Sequence, residues 1–187
     1  MKAIDLTNVQ EAQDFERVTP GGYVCVITNV EDVPEKEYLR IEYDIADGKL
    51  KDYYRSLYNN RGFWGASTIK SYKDSALPFF KGFITAVENS NNGYHWDNDE
   101  SKLVGKKVGF VLGEEEYEGR DGDVKTRLYV ASIHSVQKIM QKEFKVPALK
   151  KFKGNSGSYR SQSAQIPAGD ASDFAPREVA DDECPFA

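Results

Sequence analysis

The chain has few of the residues that build disulfide frameworks and metal centres. Its 187 residues include two cysteines and two histidines, and Cys25, Cys184, His95 and His134 are widely scattered. Disulfide scaffolds and zinc sites need several such residues at short, regular spacings. We therefore expect no metal, no cofactor and no disulfide framework, and the composition is typical of a reducing compartment such as the cytoplasm.

Long apolar runs are also missing from the sequence. No stretch approaches the roughly 18 apolar residues that a membrane-spanning helix needs. The polar, acidic residues 1–15 are unlike a secretory signal peptide. These two absences predict a cytoplasmic protein with no membrane partner.

The excess of acidic charge is confined to the C-terminal end. The net charge is −5, and residues 161–187, with six acidic side chains and one arginine, account for all of it. Such asymmetry predicts an acidic tail on a separate body. Beyond Pro147 the chain is rich in Gly, Ser, Gln and Ala and has no hydrophobic period, which predicts a disordered linker.

Strand patterns occupy the first third of the body. An apolar run predicts a first strand at residues 23–30. In Tyr38–Ile45, apolar and polar residues alternate with a period of two, which is typical of a half-buried second strand. The turn signal Asp47-Gly48 predicts a hairpin into a third strand at about residues 50–58.

One helix and two further strands are predicted in the rest of the body. A polar loop at residues 59–65 precedes residues 75–88, where apolar side chains recur every three or four positions, as in an amphipathic helix. Residues 107–117 and 124–135 predict two strands joined by a glycine-rich hairpin loop. A short helix at about residues 136–144 follows.

The order of these elements predicts a mostly β domain. Five short antiparallel strands with a helix between strands three and four match the oligonucleotide-binding (OB) fold barrel, and the helix position favours this barrel over an incomplete sandwich. We therefore expect an arm at residues 1–20, an OB-fold domain at 21–146, a flexible linker at 147–180 and an acidic tip at 181–187.

Cations and aromatic side chains are interleaved between residues 49 and 81. This segment has seven Lys or Arg against two Asp, and Phe63-Trp64 stands between two glycines. Cations bind phosphates, and an aromatic face stacks on any base for about 1–3 kcal/mol, so the composition indicates sequence-independent binding of single strands. Any one of these rings has the alternative of filling the core. Trp64 is either a base platform or an anchor for its loop.

Strand alternation adds further candidates from the rest of the body. In the fifth strand, Leu128 and Val130 are expected to face inward. Lys125, Arg127 and Tyr129 alternate with them, so we expect these three side chains to face outward. For Arg40, the alternative to a DNA contact is an ordinary surface ion pair. The basic stretch at residues 138–160 either extends the nucleic-acid path or pairs with the acidic tail. The candidate DNA-binding residues are Tyr38, Arg40, Lys51, Arg55, Tyr58, Arg61, Phe63, Trp64, Lys70, Tyr72, Lys73, Tyr117, Arg120, Lys125, Arg127 and Tyr129.

The C-terminal tip combines carboxylates with an apolar end. Three acidic residues precede Cys184-Pro185-Phe186-Ala187. Carboxylates would pair with a basic rim on a partner while the phenyl ring fills an apolar pocket, although an inert acidic tail is the alternative. The candidate partner-binding residues are Asp181, Asp182, Glu183, Pro185 and Phe186.

An acidic tip with Pro185-Phe186, carried on a low-complexity linker behind an OB-type body, resembles the bacterial and phage single-stranded DNA-binding proteins. Cys184 stands where this family usually has Ile, and Ala187 follows the Phe that normally ends the chain. Within the body, Gly105-Lys106-Lys107-Val108 and the Tyr-Glu-Gly hairpin resemble phage-encoded members. The resemblance implies protection of single strands in DNA replication, recombination and repair in the host cytoplasm. It also implies that the tip recruits replication and recombination proteins. The sequence is compatible with a monomer and with a homo-oligomer.

Two other functions are consistent with the residues. A strand-annealing recombination protein would use the same surface to pair complementary strands. A nuclease would hold Mg²⁺ on carboxylates such as Glu114, Glu115, Glu116 and Asp121. No His, Lys or Ser constellation in the sequence indicates a nucleophile, so we expect a binding protein and not an enzyme.

Truncation of the tail separates its two predicted roles. We expect deletion of the residues after about Gly169 to leave DNA affinity unchanged or modestly higher, most visibly at low salt, because the tail repels phosphates. The same deletion should abolish capture of partner proteins from a host lysate in a pulldown, and Phe186→Ala should do so nearly as well. A Phe186→Ala protein that retrieves the same partners as wild type would show that the tip is not a docking peptide.

Overall fold

A computed structural model describes residues 17–62 and 64–152. In this part of the chain the secondary structure is mostly β with few helices. The strands are β1 (Gly21–Val33), β2 (Tyr38–Ile45), β3 (Ser67–Ser71), β4 (Lys107–Glu118) and β5 (Val124–His134). The α-helices are α1 (Tyr53–Arg61), α2 (Leu77–Ser90) and α3 (Val136–Met140), and short 3₁₀ turns cover Pro34–Lys36, Asp74–Ala76 and Glu100–Leu103.

Strand β1 is the centre of one five-stranded antiparallel sheet. The order is β3-β2-β1-β4-β5, so β1 pairs with β2 on one side and with β4 on the other. Strands β3 and β5 form the two edges, and the ladders of the described residues include no β3–β5 pairing that would close a barrel. The prediction of a mostly β domain with five antiparallel strands is confirmed, in the form of an open sheet.

Hydrophobic periodicity located most of the elements correctly. The second strand has the predicted limits, the first, fourth and fifth strands overlap their predicted ranges, and the helix predicted at residues 75–88 is α2. The strand predicted at residues 50–58 is wrong, because α1 occupies most of that range. The third strand lies further along the chain at Ser67–Ser71.

A buried carboxylate on β2 explains why a helix forms where a strand was predicted. Asp44 is fully buried, and its Oδ1 accepts hydrogen bonds from the N–H groups of Ile45 and Tyr54 at 2.8 and 2.9 Å. Its Oδ2 accepts from the N–H of Arg55 at 3.0 Å. The residue before α1, Asp52, makes no side-chain cap of its own. Asp44 therefore supplies, from the neighbouring strand, the acceptors that the first helical turn needs.

The core lies between the inner face of the sheet and the helices α1 and α2. The ring of Tyr43 on β2 meets those of Tyr54 on α1 and Phe110 on β4 edge-on, at centroid distances of 5.9 and 4.8 Å. Helix α2 contributes Phe83 and Val87, both almost completely buried. The three aromatic rings thus tie α1 to the middle of the sheet.

The outer face of the sheet is covered over β1 and the first half of β4. Gly22 and Gly109 leave room there for the chain that follows β5. A Cβ on Gly22 would overlap the ring of Phe144, and one on Gly109 would overlap the side chain of Ile139. Glycine is needed at these positions because α3 and its continuation lie directly on the backbone of the sheet.

The described helices are short. Throughout residues 17–62 and 64–152, every helix falls short of the length and apolar character that crossing a membrane requires. The longest, α2, has 14 residues.

Replacement of Asp44 tests its role in starting α1. We expect Asp44→Ala to lower the free energy of unfolding by about 2–4 kcal/mol, because the buried N–H of Tyr54 and the partly buried N–H of Arg55 lose their acceptor. Urea denaturation measures the change. Asp47→Ala is the matched control, since Asp47 is exposed and accepts from the adjacent Gly48 N–H, and it should cost less than about 1 kcal/mol. Equal losses in the two variants would contradict this role.

Candidate nucleic-acid interface

The predicted contact residues lie in three places on the described structure. We call Arg55, Tyr58, Arg61 and Trp64 the α1 patch. The second place is the β2–β3 edge, with Tyr38, Arg40, Lys70, Tyr72 and Lys73. The third is the hairpin face, the outer face of β4 and β5, with Tyr117, Lys125, Arg127 and Tyr129. Lys51 precedes α1, Arg120 lies in the β4–β5 loop, and Phe63 and the tip residues Asp181 to Phe186 are outside the described residues.

The α1 patch combines two exposed arginines with two aromatic rings. Arg55, Tyr58 and Arg61 follow one another at intervals of three along the helix, so they lie on one side of it. The ring of Tyr58 is 48% exposed, and its centroid is 6.1 Å from that of Trp64. Trp64 is half-buried against the core, and its indole N–H donates to the carbonyl of Ala66 at 3.1 Å. These contacts favour the anchor role for Trp64 and leave Tyr58 as the exposed ring.

The β2–β3 edge divides its predicted contacts between two faces. Lys70 is the cross-strand partner of Leu39, so it belongs to the inner face of the sheet, and desolvation by burial lowers its pKa. Arg40 is the partner of Ile69 and belongs to the outer face, as does Tyr38. Both cations were predicted as DNA contacts, and the register places them on opposite faces of the sheet.

Acidic neighbours accompany the β2–β3 edge. The guanidinium of Arg40 lies 3.8 Å from the carboxylate of Glu31, as the surface-pair alternative predicts. The hydroxyl of Tyr72 donates to Asp32 at 2.8 Å. This edge therefore carries charges of both signs, and Lys73 is an exposed cation at its end.

The hairpin face gathers cations and half-buried rings on one face of the strand pair. The register pairs Tyr117 with Lys125 and Glu115 with Arg127, so these side chains share the outer face with Tyr129. The guanidinium carbon of Arg127 is 5.1 Å from the centre of the Tyr117 ring, within the range of a cation–π contact. The guanidinium thus lies over one face of an aromatic ring on an antiparallel strand pair.

Residues 147–152, which we call the strap, were predicted as linker, but the structure places them along β4. The N–H of Lys150 donates to the carbonyl of Glu114 at 3.0 Å, and the N–H of Glu116 donates to the carbonyl of Lys150 at 2.9 Å. The strap crosses Gly113, where an added Cβ would lie 2.7 Å from the ring of Pro147. The available signal was the apolar residues Leu149 and Phe152, which are unusual in a disordered linker.

Glu115 binds two cations at the centre of the hairpin face. Its Oε1 accepts from Arg127 Nε at 2.9 Å, and its Oε2 lies 3.1 Å from Lys150 Nζ. Burial raises the pKa of this carboxyl group, but the hydrogen bonds from Lys150 and Arg127 outweigh that effect and hold the pKa below its ordinary value. Glu115 is therefore ionised at neutral pH, and the two cations leave the cluster with a net positive charge.

The carboxylates that a nuclease would need do not form a common site. Successive residues of a strand point to opposite faces, so Glu114 lies on the face opposite Glu115. The carboxylate of Glu116 accepts from the N–H of Phe152 at 3.0 Å. Asp121 pairs with Lys125 at 2.9 Å. Within the described ranges, no group of three or more His, Cys, Asp or Glu side chains is arranged to hold a metal ion.

Comparisons with known proteins identify no family for this chain. No protein-family model matches the chain, and no curated protein matches it significantly.

Two aromatic substitutions in the α1 patch test which ring is structural. We expect Trp64→Ala to lower the free energy of unfolding by about 1–3 kcal/mol, because it removes a half-buried ring and the hydrogen bond to Ala66. Tyr58→Ala should change it by less than about 1 kcal/mol, since the ring is largely exposed. Urea denaturation followed by circular dichroism measures both. The reverse ranking would show that Tyr58 is the anchor.

Proposed function

We propose that this protein binds single-stranded DNA without sequence preference and acts, without enzymatic activity, in DNA replication, recombination and repair. The observation that carries the proposal is the hairpin face. There, the cations Lys125 and Arg127 lie with the half-buried rings of Tyr117 and Tyr129 on the outer face of one strand pair. This combination supplies both kinds of contact that an unpaired strand offers, to phosphates and to bases.

The chemistry of the hairpin face favours single strands over duplex. A ring can stack only on a base whose face is accessible, and the bases of a duplex are already stacked on each other. Because Arg127 lies against Tyr117, one nucleotide can place its phosphate by the guanidinium and its base by the ring. Every base has a π-face, so such binding tolerates any sequence.

The connectivity of the sheet supports an OB-type body. Three consecutive strands form a meander, α2 follows β3, and a two-stranded hairpin follows α2. Helix α2 contacts β3, β4 and β5, as a helix across the bottom of a barrel would. We propose that β3 and β5 close this barrel. OB folds bind oligonucleotides on the sheet face and in the loops at its rim, including the loop between the last two strands.

The acidic tail extends the proposal to partner recruitment. Phe152, the last described residue, donates its N–H to the carboxylate of Glu116 on β4 at 3.0 Å. We propose that the tip, with Pro185 and Phe186, docks replication or recombination proteins close to the bound strand. Its carboxylates and phenyl ring suit a pocket with a basic rim.

Binding of a labelled dT oligonucleotide tests the proposed function. We expect much tighter binding of this oligonucleotide than of duplex of equal length in an anisotropy titration, and a linear fall of log affinity with log salt concentration. Tyr117→Ala should cost about 1–3 kcal/mol of binding because a stacking face is lost.

Arg127→Ala should also weaken binding, because it removes a cation from the hairpin face. Lys102→Ala is the matched control, since Lys102 pairs with Asp97 and Asp99 away from that face. Affinity for duplex equal to that for the single strand, or equal effects of the two cation variants, would refute the proposal.

A further inference from the structure

Strand β4 extends beyond the start of its neighbour β1, and the strap lies beside this extension. Strand β1 begins at Gly21, opposite Leu112, so β4 continues for six residues beyond the last β1 partner. Strand β5 pairs with the other side of β4 over this length. Lys150 forms a parallel bridge with Glu115 on the side that β1 leaves open. The strap therefore takes the place of β1 beside the hairpin.

The bridge aligns three side chains across three neighbouring segments. Arg127 on β5, Glu115 on β4 and Lys150 on the strap form one row, with the carboxylate bound to both cations. The side chains of Arg127 and Lys150 are 60% and 70% exposed, whereas that of Glu115 is 15% exposed. Glu115 thus lies beneath two cations and restrains two long side chains that would otherwise be mobile in water.

Aromatic groups flank this row of charges. Lys150 Nζ is 5.8 Å from the centre of the Tyr129 ring. Phe152, which is 36% exposed, lines a shallow depression of about 530 Å³ together with Glu116, Lys151 and the three residues of the row.

We infer that the strap is part of the nucleic-acid interface: Arg127 and Lys150 form a two-cation site for a backbone phosphate, with Tyr129 and Phe152 beside it as base platforms. Glu115 is a positioning residue that holds the two cations together. The inference rests on the proposed function and adds a binding element that lies beyond the five strands. Its ligand is the phosphodiester of an unpaired nucleic-acid strand.

The salt dependence of dT binding isolates the contribution of Lys150. Each phosphate contact to a single strand contributes about 0.7 to the slope of log affinity against log salt. We expect Lys150→Ala to reduce the slope by about 0.7, which corresponds to roughly fivefold weaker binding at 0.1 M salt and little difference near 1 M. Lys150→Arg should restore the slope.

Lys145→Ala is the matched control, because Lys145 is an exposed lysine five residues earlier in the same part of the chain. It should leave the slope unchanged. Lys150→Ala retains the backbone hydrogen bonds of the strap. We therefore expect its midpoint of urea unfolding to differ from that of wild type by no more than the loss of one surface ion pair would cause.

The combination of Arg127→Ala with Lys150→Ala tests whether the two cations share one phosphate. For a shared phosphate, the loss of log affinity in the double variant is smaller than the sum of the single losses. Additive losses would overturn the two-cation site. If the wild-type protein binds dT and the Lys150→Ala variant shows the same salt slope, the strap inference is overturned and the proposed function stands. A wild-type protein that does not bind dT would overturn both.

Discussion

The hydrogen bonds of one buried carboxylate determine the path of the chain between β2 and β3. A buried charge is stable only when its oxygens are satisfied, and Asp44 accepts from three backbone N–H groups. Two of these belong to the first turn of α1, where the helix dipole also favours a negative charge. Because the start of α1 is held in place, Tyr54 enters the core and Tyr58 remains exposed. The turn that follows α1 then leads into β3 through the anchored ring of Trp64.

The first half of strand β4 is packed on both faces, and its second half carries charged side chains. From Val108 to Gly113 every residue is buried, because the core covers one face and α3 with its continuation covers the other. From Glu114 onward the strand is only partly buried, and its outward side chains belong to the hairpin face. The strap crosses at Gly113, between the two halves. The same backbone is therefore a rigid support for the residues that we propose to contact DNA.

Local geometry, more than net charge, supports nucleic-acid binding by this chain. The body is neutral as a whole, and the β2–β3 edge carries Glu31 and Asp32 beside its cations. On and beside the hairpin face, by contrast, Glu115 is bound by both Arg127 and Lys150, and Asp121 pairs with Lys125, so the cations outnumber their acidic partners. A positive surface of this kind depends on which side chains share a face and not on the total charge.

Periodicity in the sequence determined most of the sheet and the main helix. Alternation predicted β2 with its true limits, and apolar spacing predicted α2, because both patterns are local and repeat with the period of the backbone. The acidic tip is likewise visible in composition alone. The tertiary structure decided the rest. The tyrosine-rich residues 50–58 were predicted as a strand, but a carboxylate about ten residues earlier made them a helix. Lys150 joined the hairpin face through hydrogen bonds to a strand about 35 residues before it. Such contacts leave no periodic mark in the sequence, because they depend on which backbone groups the finished sheet leaves unpaired.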